Sequence, residues 1–373
     1  MAYIPEFVKL SQLKTDTLNA IGTDIGVGVT VLTNDLATLH EYGNTVLGAT
    51  VLQNSFCSAL MNRIARVIFT ANSYRNPLKL FKKGVLSYGE MIEDVFVEIA
   101  KGVQRNENAA VPTVPYTTAN AIPDVKTAFY MSNLRARYDT CIRRPDLEKA
   151  FLTFEGVQEL VEKVIDSLAS GADFDEFILT KFKMQQAIIN DNVSKVSVTL
   201  GTDVKAYAED ILTAMRAGVG HFKFMSTDYN ISGVLTSSKN DNLVAILPVD
   251  TESVVDVKAL ASAFNLSYAD FIGRRVNVDN FAFSDAEIER FEKITGLTYS
   301  EVMPAAKVTA IKNCIAITCD SDVFQIYDTK EPYMTEDYNG ADDVRIYHLH
   351  VDKIFALSPF KDIQIYNKVE NGG

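Results

Sequence analysis

The sequence predicts a mixed α+β protein in two regions, with one long extended arm. Three observations predict it. Val95, Val97 and Ile99 alternate with Asp94, Phe96 and Glu98, and Thr127, Phe129 and Met131 share a face of a second extended run over 125–142, the period of strands. Val157, Leu160, Val161, Val164, Ile165 and Leu168 recur at three-four spacing, the period of a helix. Between the two strands, residues 100–124 are polar, carry Pro112, Pro115 and Pro123 and follow neither period. A connection of that length is uncommon inside a compact domain and usually marks a functional arm or a disordered segment. Two strands leading into and out of it predict a projecting hairpin, and a lone hairpin cannot bury its own faces. It needs a neighbour to lie on, which points to contact with copies of the same chain.

Composition narrows the function classes. The chain has 373 residues, 47% of them hydrophobic and 23% charged, the balance of a folded protein long enough for two domains. Its net charge of −12 argues against a dedicated nucleic-acid binder, whose affinity comes mainly from clustered Lys and Arg on phosphates. Cys57, Cys141, Cys314 and Cys319 are sparse and lack zinc spacing, so buried reduced thiols are expected. MAYIPEFVKL is not followed by an apolar core and cleavage site, so no signal peptide is expected. No apolar run approaches the roughly 20 residues that span a bilayer, so no membrane partner is expected.

Taken in order, residues 1–45 scatter Gly22, Gly26, Gly28 and Gly43 among Val, Thr and Leu and read as an extended N-terminal arm. The glycines do not make a nucleotide loop, since Val31 replaces the third glycine of the dinucleotide fingerprint and no lysine follows. From Val46 a stripe of Leu52, Phe56, Leu60, Ile64 and Val67 predicts a helix, passing into a short strand near 66–70. Pro145 suits the first turn of a helix. The long helical run after it reads as broken near Gly171, with Asp173 capping the second half and Asp175 beside it in the new first turn. Lys195 to Leu200 alternates as a strand.

Val204, Ala208, Ile211, Leu212 and Met215 line a helix expected to stop at Gly218. Leu243 to Leu247 reads as a buried strand and 253–264 as a helix. Ser267 with Asp270, and Ser284 with Glu287, have capping-box spacing, the second opening a helix closed by Gly296. Alternating stretches follow at 310–318 and 323–327. From Val344 to Tyr366 the chain is β-rich, with Tyr347, Leu349 and Val351 opposed to His348, His350 and Asp352.

Signals for chemistry are few. His348, His350 and Asp352 leave one face of one strand and could share a cation, but a polar strand face explains them as well. Asp173 and Asp175 are accounted for by capping. There is no Gly-x-Ser-x-Gly elbow, His-Glu-x-x-His helix or Walker lysine. No catalytic, cofactor-binding or metal residue is assigned, and no cofactor is expected. Arg75, Lys79, Lys82 and Lys83 form a tight basic group before the arm; Glu90, Glu93, Asp94 and Glu98 form an acidic one on it. These eight are the candidate contacts between subunits.

One family resemblance joins these features. Asn76 to Gly84 (NPLKLFKKG), then Gly89, then Ile92-Glu93-Asp94, resembles the opening of the extended loop in major capsid (head) proteins of small phi-29-like tailed podoviruses. In the same order, Asp256 to Leu266, Asp270 to Gly273 and Val276 to Asp279 resemble that family's middle region, and Asp320 to Asp328 the segment before its last strands. The resemblance runs from about residue 50 to 366 and implies the HK-97 (Hong Kong 97) capsid fold. It assigns 1–62 to the N-terminal arm and first helix and 81–142 to the extended β-hairpin loop (E-loop). A peripheral domain with a long spine helix takes 63–80, 143–200 and 342–373; an axial domain takes 201–341, with 284–310 as an insertion.

That family implies pentamers and hexamers of identical subunits that enclose double-stranded DNA without sequence specificity. The implied partners are a scaffolding protein, a portal protein and, where present, a decoration or head-fibre protein. The implied location is the virion, after synthesis and assembly in the cytoplasm of a bacterial host. Flexibility at Gly84, Gly89 and Gly102 would let one sequence fit both ring sizes. Two other readings stay open on the residues alone: an encapsulin-type compartment shell, and a metal-dependent enzyme built on the His348 strand.

Overall fold

The structure, a computed structural model, describes residues 18–23, 36–48, 76–86, 91–100, 123–150, 154–199, 204–253, 274–340 and 344–369, with isolated positions between them. In chain order the elements are α1 (Leu36–Leu47), a 3-10 turn (Pro77–Phe81), β1 (Lys82–Val85), β2 (Met91–Val97), β3 (Val125–Met131), β4 (Leu134–Arg143), α2 (Arg144–Ala150), α3 (Phe154–Ile189), β5 (Ser194–Val198) and α4 (Val204–Phe222). They continue with β6 (Leu243–Pro248), β7 (Arg274–Val278), α5 (Asp285–Thr295), α6 (Tyr299–Val302), α7 (Ala305–Lys312), β8 (Cys314–Asp320), β9 (Phe324–Asp328), β10 (Tyr333–Asn339), β11 (Val344–Leu357) and β12 (Ile363–Lys368). The strands expected at 93–99, 125–142, 195–200 and 243–247 are present. The expectations at 60–75, most of 253–264 and the Ser267 capping box lie outside the described residues. No helix among the described residues is long and apolar enough to cross a membrane.

The chain divides into two compact units, the first comprising Met1–Arg75, Ala136–Phe174 and Pro332–Val351. Its core joins Leu18, Ile21, Leu39 and Tyr42 to Val164 and Leu168 of α3 and to Tyr347, Leu349 and Val351 of β11. The N-terminal segment therefore departs from the extended arm expected of it. Residues 18–23 and α1 are helical, and Leu39, Tyr42 and Val46 put an i, i+3, i+7 face into the core. Burial of that face outweighs the poor helix propensity of the surrounding Gly and Thr. Tyr42 also donates its hydroxyl to the Leu18 carbonyl at 3.0 Å, tying the two helices together. The β10 strand pairs antiparallel with β11 from Tyr333–His350 to Asn339–Val344. Polar on nearly all its length, it gave no alternating signal.

The second unit comprises Asn76–Arg135, Asp175–Glu331 and Asp352–Gly373. Its main sheet runs β5-β12-β8-β6-β7, with β12 parallel to β5 and antiparallel to β8, and β6 antiparallel to β8 and parallel to β7. Every residue of β8 is buried, so it is a central strand with two covered faces rather than the half-exposed one that alternation suggests, and 310–312 belong to α7. Ile211 and Met215 of α4 pack on Val198, Ala316 and Tyr366 of the sheet. The α4 helix passes through Gly218 to Phe222 instead of stopping. A Cβ at Gly218 would sit 1.9 Å from Gln364 Oε1 and 2.1 Å from the Tyr366 hydroxyl. Glycine is there to let the helix approach the strand. In a smaller pairing, β1 runs parallel to β9, which is antiparallel to Lys353–Leu357 of β11.

The long helix also corrects the sequence reading: α3 is a single helix of 36 residues with Gly171 and Asp173 inside it. One interior glycine costs only about 1 kcal/mol, which a helix buried along much of its length absorbs. Asp175 is accordingly mid-helix and buried, paired with Arg290 of α5 rather than capping. Three more residues of α3 dock 279–299 on it within this unit. Lys181, fully buried, lies 2.9 Å from both Asp279 and Glu287 and 5.6 Å from the ring centres of Phe177 and Phe283. Gln185 donates to the Phe281 carbonyl at 2.8 Å and accepts from the Tyr299 hydroxyl at 3.0 Å. Phe182 packs on Phe291 at 4.7 Å. The expected capping box is present: Ser284 caps α5, the Glu287 carboxylate returns to the Ser284 amide at 2.8 Å, and Gly296 closes the helix in the left-handed conformation.

Candidate assembly surface

Residues 76–86 show why the Asn76–Gly84 motif reads as it does. Asn76 caps the 3-10 turn by accepting from the Leu78 amide at 2.8 Å, and Pro77 fills the first position, where no N–H is needed. Leu78 and Phe81 are fully buried, Phe81 edge-on to Phe324 at 5.5 Å. Lys82 then reaches Asp328 at 2.7 Å and Glu176 at 3.6 Å. Lys353 pairs with the same Glu176 and lies 3.6 Å from Asp328, and Asn76 donates to Glu176 at 2.9 Å. Burial raises the Glu176 carboxyl pKa, but the charges of Lys353 and Lys82, with the hydrogen bonds from Lys353 and Asn76, outweigh it and hold the group below its usual range. Lys83 leaves the other side of β1 and pairs with Asp322 and the Ser321 carbonyl. Gly84, at φ +131° with open space around its Cα, takes a conformation that other residues rarely adopt.

Beyond this stem, β2 and β3 pair, among the described residues, only with each other, in register from Met91–Met131 to Val97–Val125. Alternation gives the hairpin two unlike faces. Outward go Met91, Val95, Val97, Val125, Phe129 and Met131, with Phe129 56% and Met131 69% exposed. Inward go Ile92, Asp94, Phe96, Ala128 and Tyr130, all half-buried. Asp94 accepts from the Ser358 hydroxyl at 2.7 Å and the Tyr130 hydroxyl at 3.2 Å, and Phe96 stacks on Phe360 at 5.8 Å. At the base, Asn133 donates to the Phe355 carbonyl at 2.7 Å and accepts from the Phe355 amide at 2.9 Å. The hairpin was expected to find its cover on a neighbour; half of that cover comes from its own chain, because the 358–360 turn presents an aromatic ring and a hydroxyl to the inward face.

The candidate contact residues thus part company. Lys82 and Lys83 have carboxylate partners in their own unit, and Asp94 is held by Ser358 and Tyr130. Glu93, cross-strand from Phe129, is exposed in the middle of the outward face, and Lys79 is exposed on the 3-10 turn. Glu98 is half-buried beside the hairpin end, and Arg75 and Glu90 lie outside the described residues. Sequence reading missed Glu176, Lys353, Asn133, Ser358 and Phe360, since each is far from its partner along the chain and carries no local motif.

The His348 strand does not assemble a metal site. His348 is mostly buried, with Nδ1 2.5 Å from Asp139 and Nε2 3.2 Å from Asp337. His350 meets the Thr335 hydroxyl at 3.0 Å and stacks on Tyr333, and Asp352 lies 3.9 Å from Lys330. No group of three or more His, Cys, Asp or Glu among the described residues could hold a metal ion. Burial raises the pKa of Asp139, but hydrogen bonds and charge from His348 and Arg137 outweigh it and leave it below its usual range. Cys314 and Cys319 are buried as expected, and burial pushes both thiol pKa values up. Cys141 is exposed on β4, contrary to expectation, since it falls on the open face of that strand. Cys57 lies outside the described residues.

Comparison with known proteins places the chain. A sequence model of the Phi29-like phage major capsid protein family matches residues 25–366. The major capsid protein of Bacillus phage GA-1 is 31% identical over 327 residues, 86% of this chain and 62% of that protein. The major capsid protein of Bacillus phage PZA is 28% identical over 264 residues, 70% of this chain and 58% of that protein. The chain spans less than two thirds of the length of these curated relatives. In the capsid structure of Staphylococcus phage Andhra, one chain matches with a TM-score of 0.56 at 14% identity, covering 79% of this chain and 85% of that one. In the structure of head fiber and inner core protein gp22 of native bacteriophage P68, a chain matches with a TM-score of 0.58, also at 14% identity, covering 79% and 84%. These likenesses carry the fold, that of HK-97-like phage capsid proteins. The sequence match across most of the chain carries the family: this protein belongs to the Phi29-like phage major capsid proteins.

Proposed function

We propose that this chain is the repeating subunit of a tailed phage head, assembling with copies of itself into pentamers and hexamers that close around double-stranded DNA. The observation that carries the reading is the outward face of the β2–β3 hairpin. Six exposed apolar side chains on a two-stranded sheet form a surface that a soluble monomer has no use for. A neighbouring subunit laid against it removes that surface from water. Heterologous contacts of this kind close into rings, and many weak contacts give a stable shell while leaving each one correctable during assembly.

Within this reading, residues 81–142 are the E-loop, 201–341 the axial domain, and 63–80 with 143–200 and 342–373 the peripheral domain. Lys79 and Glu93, both exposed, are the candidate contacts most open to a neighbour, and Arg75, Glu90 and Glu98 flank them in sequence. The net charge of −12 suits a wall that encloses DNA without gripping it. A scaffolding protein, a portal protein and a decoration or head-fibre protein are the expected partners, in the bacterial cytoplasm during assembly and in the virion afterwards. The work is geometric, with no catalytic step. Electron microscopy of the purified full chain, alone and with its scaffold, tests this: closed shells or capsomers support it. Monodisperse monomers under every condition, or particles loaded with an enzyme in place of DNA, overturn it.

A further inference from the structure

We propose that Asp94, Phe96, Ser358 and Phe360 form a strap that fixes the direction of the hairpin on its own subunit, with Asp94 and Ser358 as the positioning pair. The proposal rests on the assembly reading and concerns what aims the arm, rather than what receives it. Its first ground is that Asp94 is the carboxylate at the centre of the inward face, and its oxygen accepts from two hydroxyls, Ser358 at 2.7 Å and Tyr130 at 3.2 Å. The Tyr130 bond stays within the hairpin, whereas the Ser358 bond leaves it. A hydrogen bond to a charged acceptor is directional and about twice as strong as a neutral one, so it fixes an angle as well as a contact.

The second ground is that the receiving turn is itself immobilised. Ser358 is fully buried, its amide donates to the Val323 carbonyl at 2.8 Å, and its hydroxyl oxygen accepts from the Phe360 amide at 3.4 Å. The Pro359 carbonyl accepts from the Ser232 amide at 2.9 Å. Phe360, 5% exposed, presents its ring to Phe96 with the planes 28° apart. The turn is thus fastened to the residue before β9, to the loop after α4 and to itself, independently of the hairpin. The Asn133–Phe355 pair holds the base of the hairpin, and Asp94 and Phe96 lie further out along β2. Two separated points of attachment fix a direction, while one leaves a pivot.

In a shell of identical subunits, the direction of the arm decides where the neighbour is met. The strap therefore makes local curvature a property of one side-chain pair. The test uses the full chain as Asp94→Ala, Ser358→Ala, the double variant, and Asp94→Asn, which keeps an oxygen acceptor for Ser358. In unassembled subunits, exchange of the β2 and β3 amides should accelerate by roughly tenfold or more in the alanine variants, the ratio expected when a hydrogen bond to a charged group is lost. Their particles should spread over several diameters where the native chain gives one. The double variant should match either single one, and Asp94→Asn should restore the native diameter. Alanine-variant particles with the native diameter, or effects that add in the double variant, would overturn the strap. If the native chain itself forms no particles, the assembly reading fails instead; the exchange rates then decide the strap alone, and unchanged rates refute it.

Discussion

At Gly218, one missing methyl group decides how closely a helix meets a sheet. Its Cβ position is 1.9 Å from Gln364 Oε1 and 2.1 Å from the Tyr366 hydroxyl, and that hydroxyl in turn donates to Gln364 at 2.8 Å. Gly218→Ala gains up to about 1 kcal/mol of helix propensity but forces the strand side chains aside. We expect a net loss of roughly 1–3 kcal/mol, read as a lower urea midpoint with unchanged slope. A midpoint at or above the native value would contradict the close-approach account. Glu176 is a second residue-scale case. Its carboxyl titrates below its usual range, so the pair with Lys353 adds stability above the ordinary glutamate pKa, and that stability is lost as pH falls through the depressed folded value. Lys353→Met should cost up to about 3 kcal/mol at neutral pH, because it leaves the buried Glu176 charge with Lys82 and the Asn76 amide as its remaining partners. The difference from the native chain should shrink in acid as Glu176 takes a proton. A difference that stays constant with pH would show that packing, not charge, is at stake.

Elements were legible wherever one physical rule settled them. The Ser284–Glu287 box, the alternation of β2 and β3 and the apolar run of β6 needed only local spacing, and all three are where that spacing puts them. The N-terminal helices, the unbroken α3 and the passage of α4 through Gly218 were not legible. In each, a weak local signal was overruled by burial against residues distant in sequence. The β10 strand was invisible for the opposite reason, since a polar edge strand that sets one apolar side chain, Met334, against the core leaves no period to mark it. The hairpin was half legible: its period showed two faces, but nothing local says that Ser358 and Phe360 cover one of them. The outward face carries an element-scale prediction. Val95→Asp or Phe129→Asp should leave the circular dichroism spectrum and melting temperature within error of native, because those side chains are already exposed, yet should abolish particle formation in sedimentation velocity. Native-sized particles from either variant would remove the hairpin from the assembly account.

Across the whole molecule, the two units have unlike roots in the sequence. The second holds the Asn76–Gly84 motif, the hairpin and the main sheet, and two groups of its charged residues are committed to one another: Lys82, Lys353, Glu176 and Asp328 at the stem, Lys181 with Asp279 and Glu287 on α3. The first holds the N-terminal helices and the His348 strand, where a candidate metal face became a set of cross-strand hydrogen bonds. Neither unit leaves a reactive constellation among the described residues, and the surface most in need of a partner is apolar and flat. That combination is what the proposed assembly requires of the subunit. Deleting residues 103–120 should accordingly leave a folded chain that sediments as subunits only; normal shells from the deletion would refute a role for that segment. The most direct measurement is oxidative footprinting of Met91 and Met131, which stand at the cross-strand pair on the outward face with 56% and 69% exposure. Both should oxidise readily in dissociated subunits and be strongly protected in assembled particles. Equal oxidation in the two states would show that no sister subunit covers the hairpin.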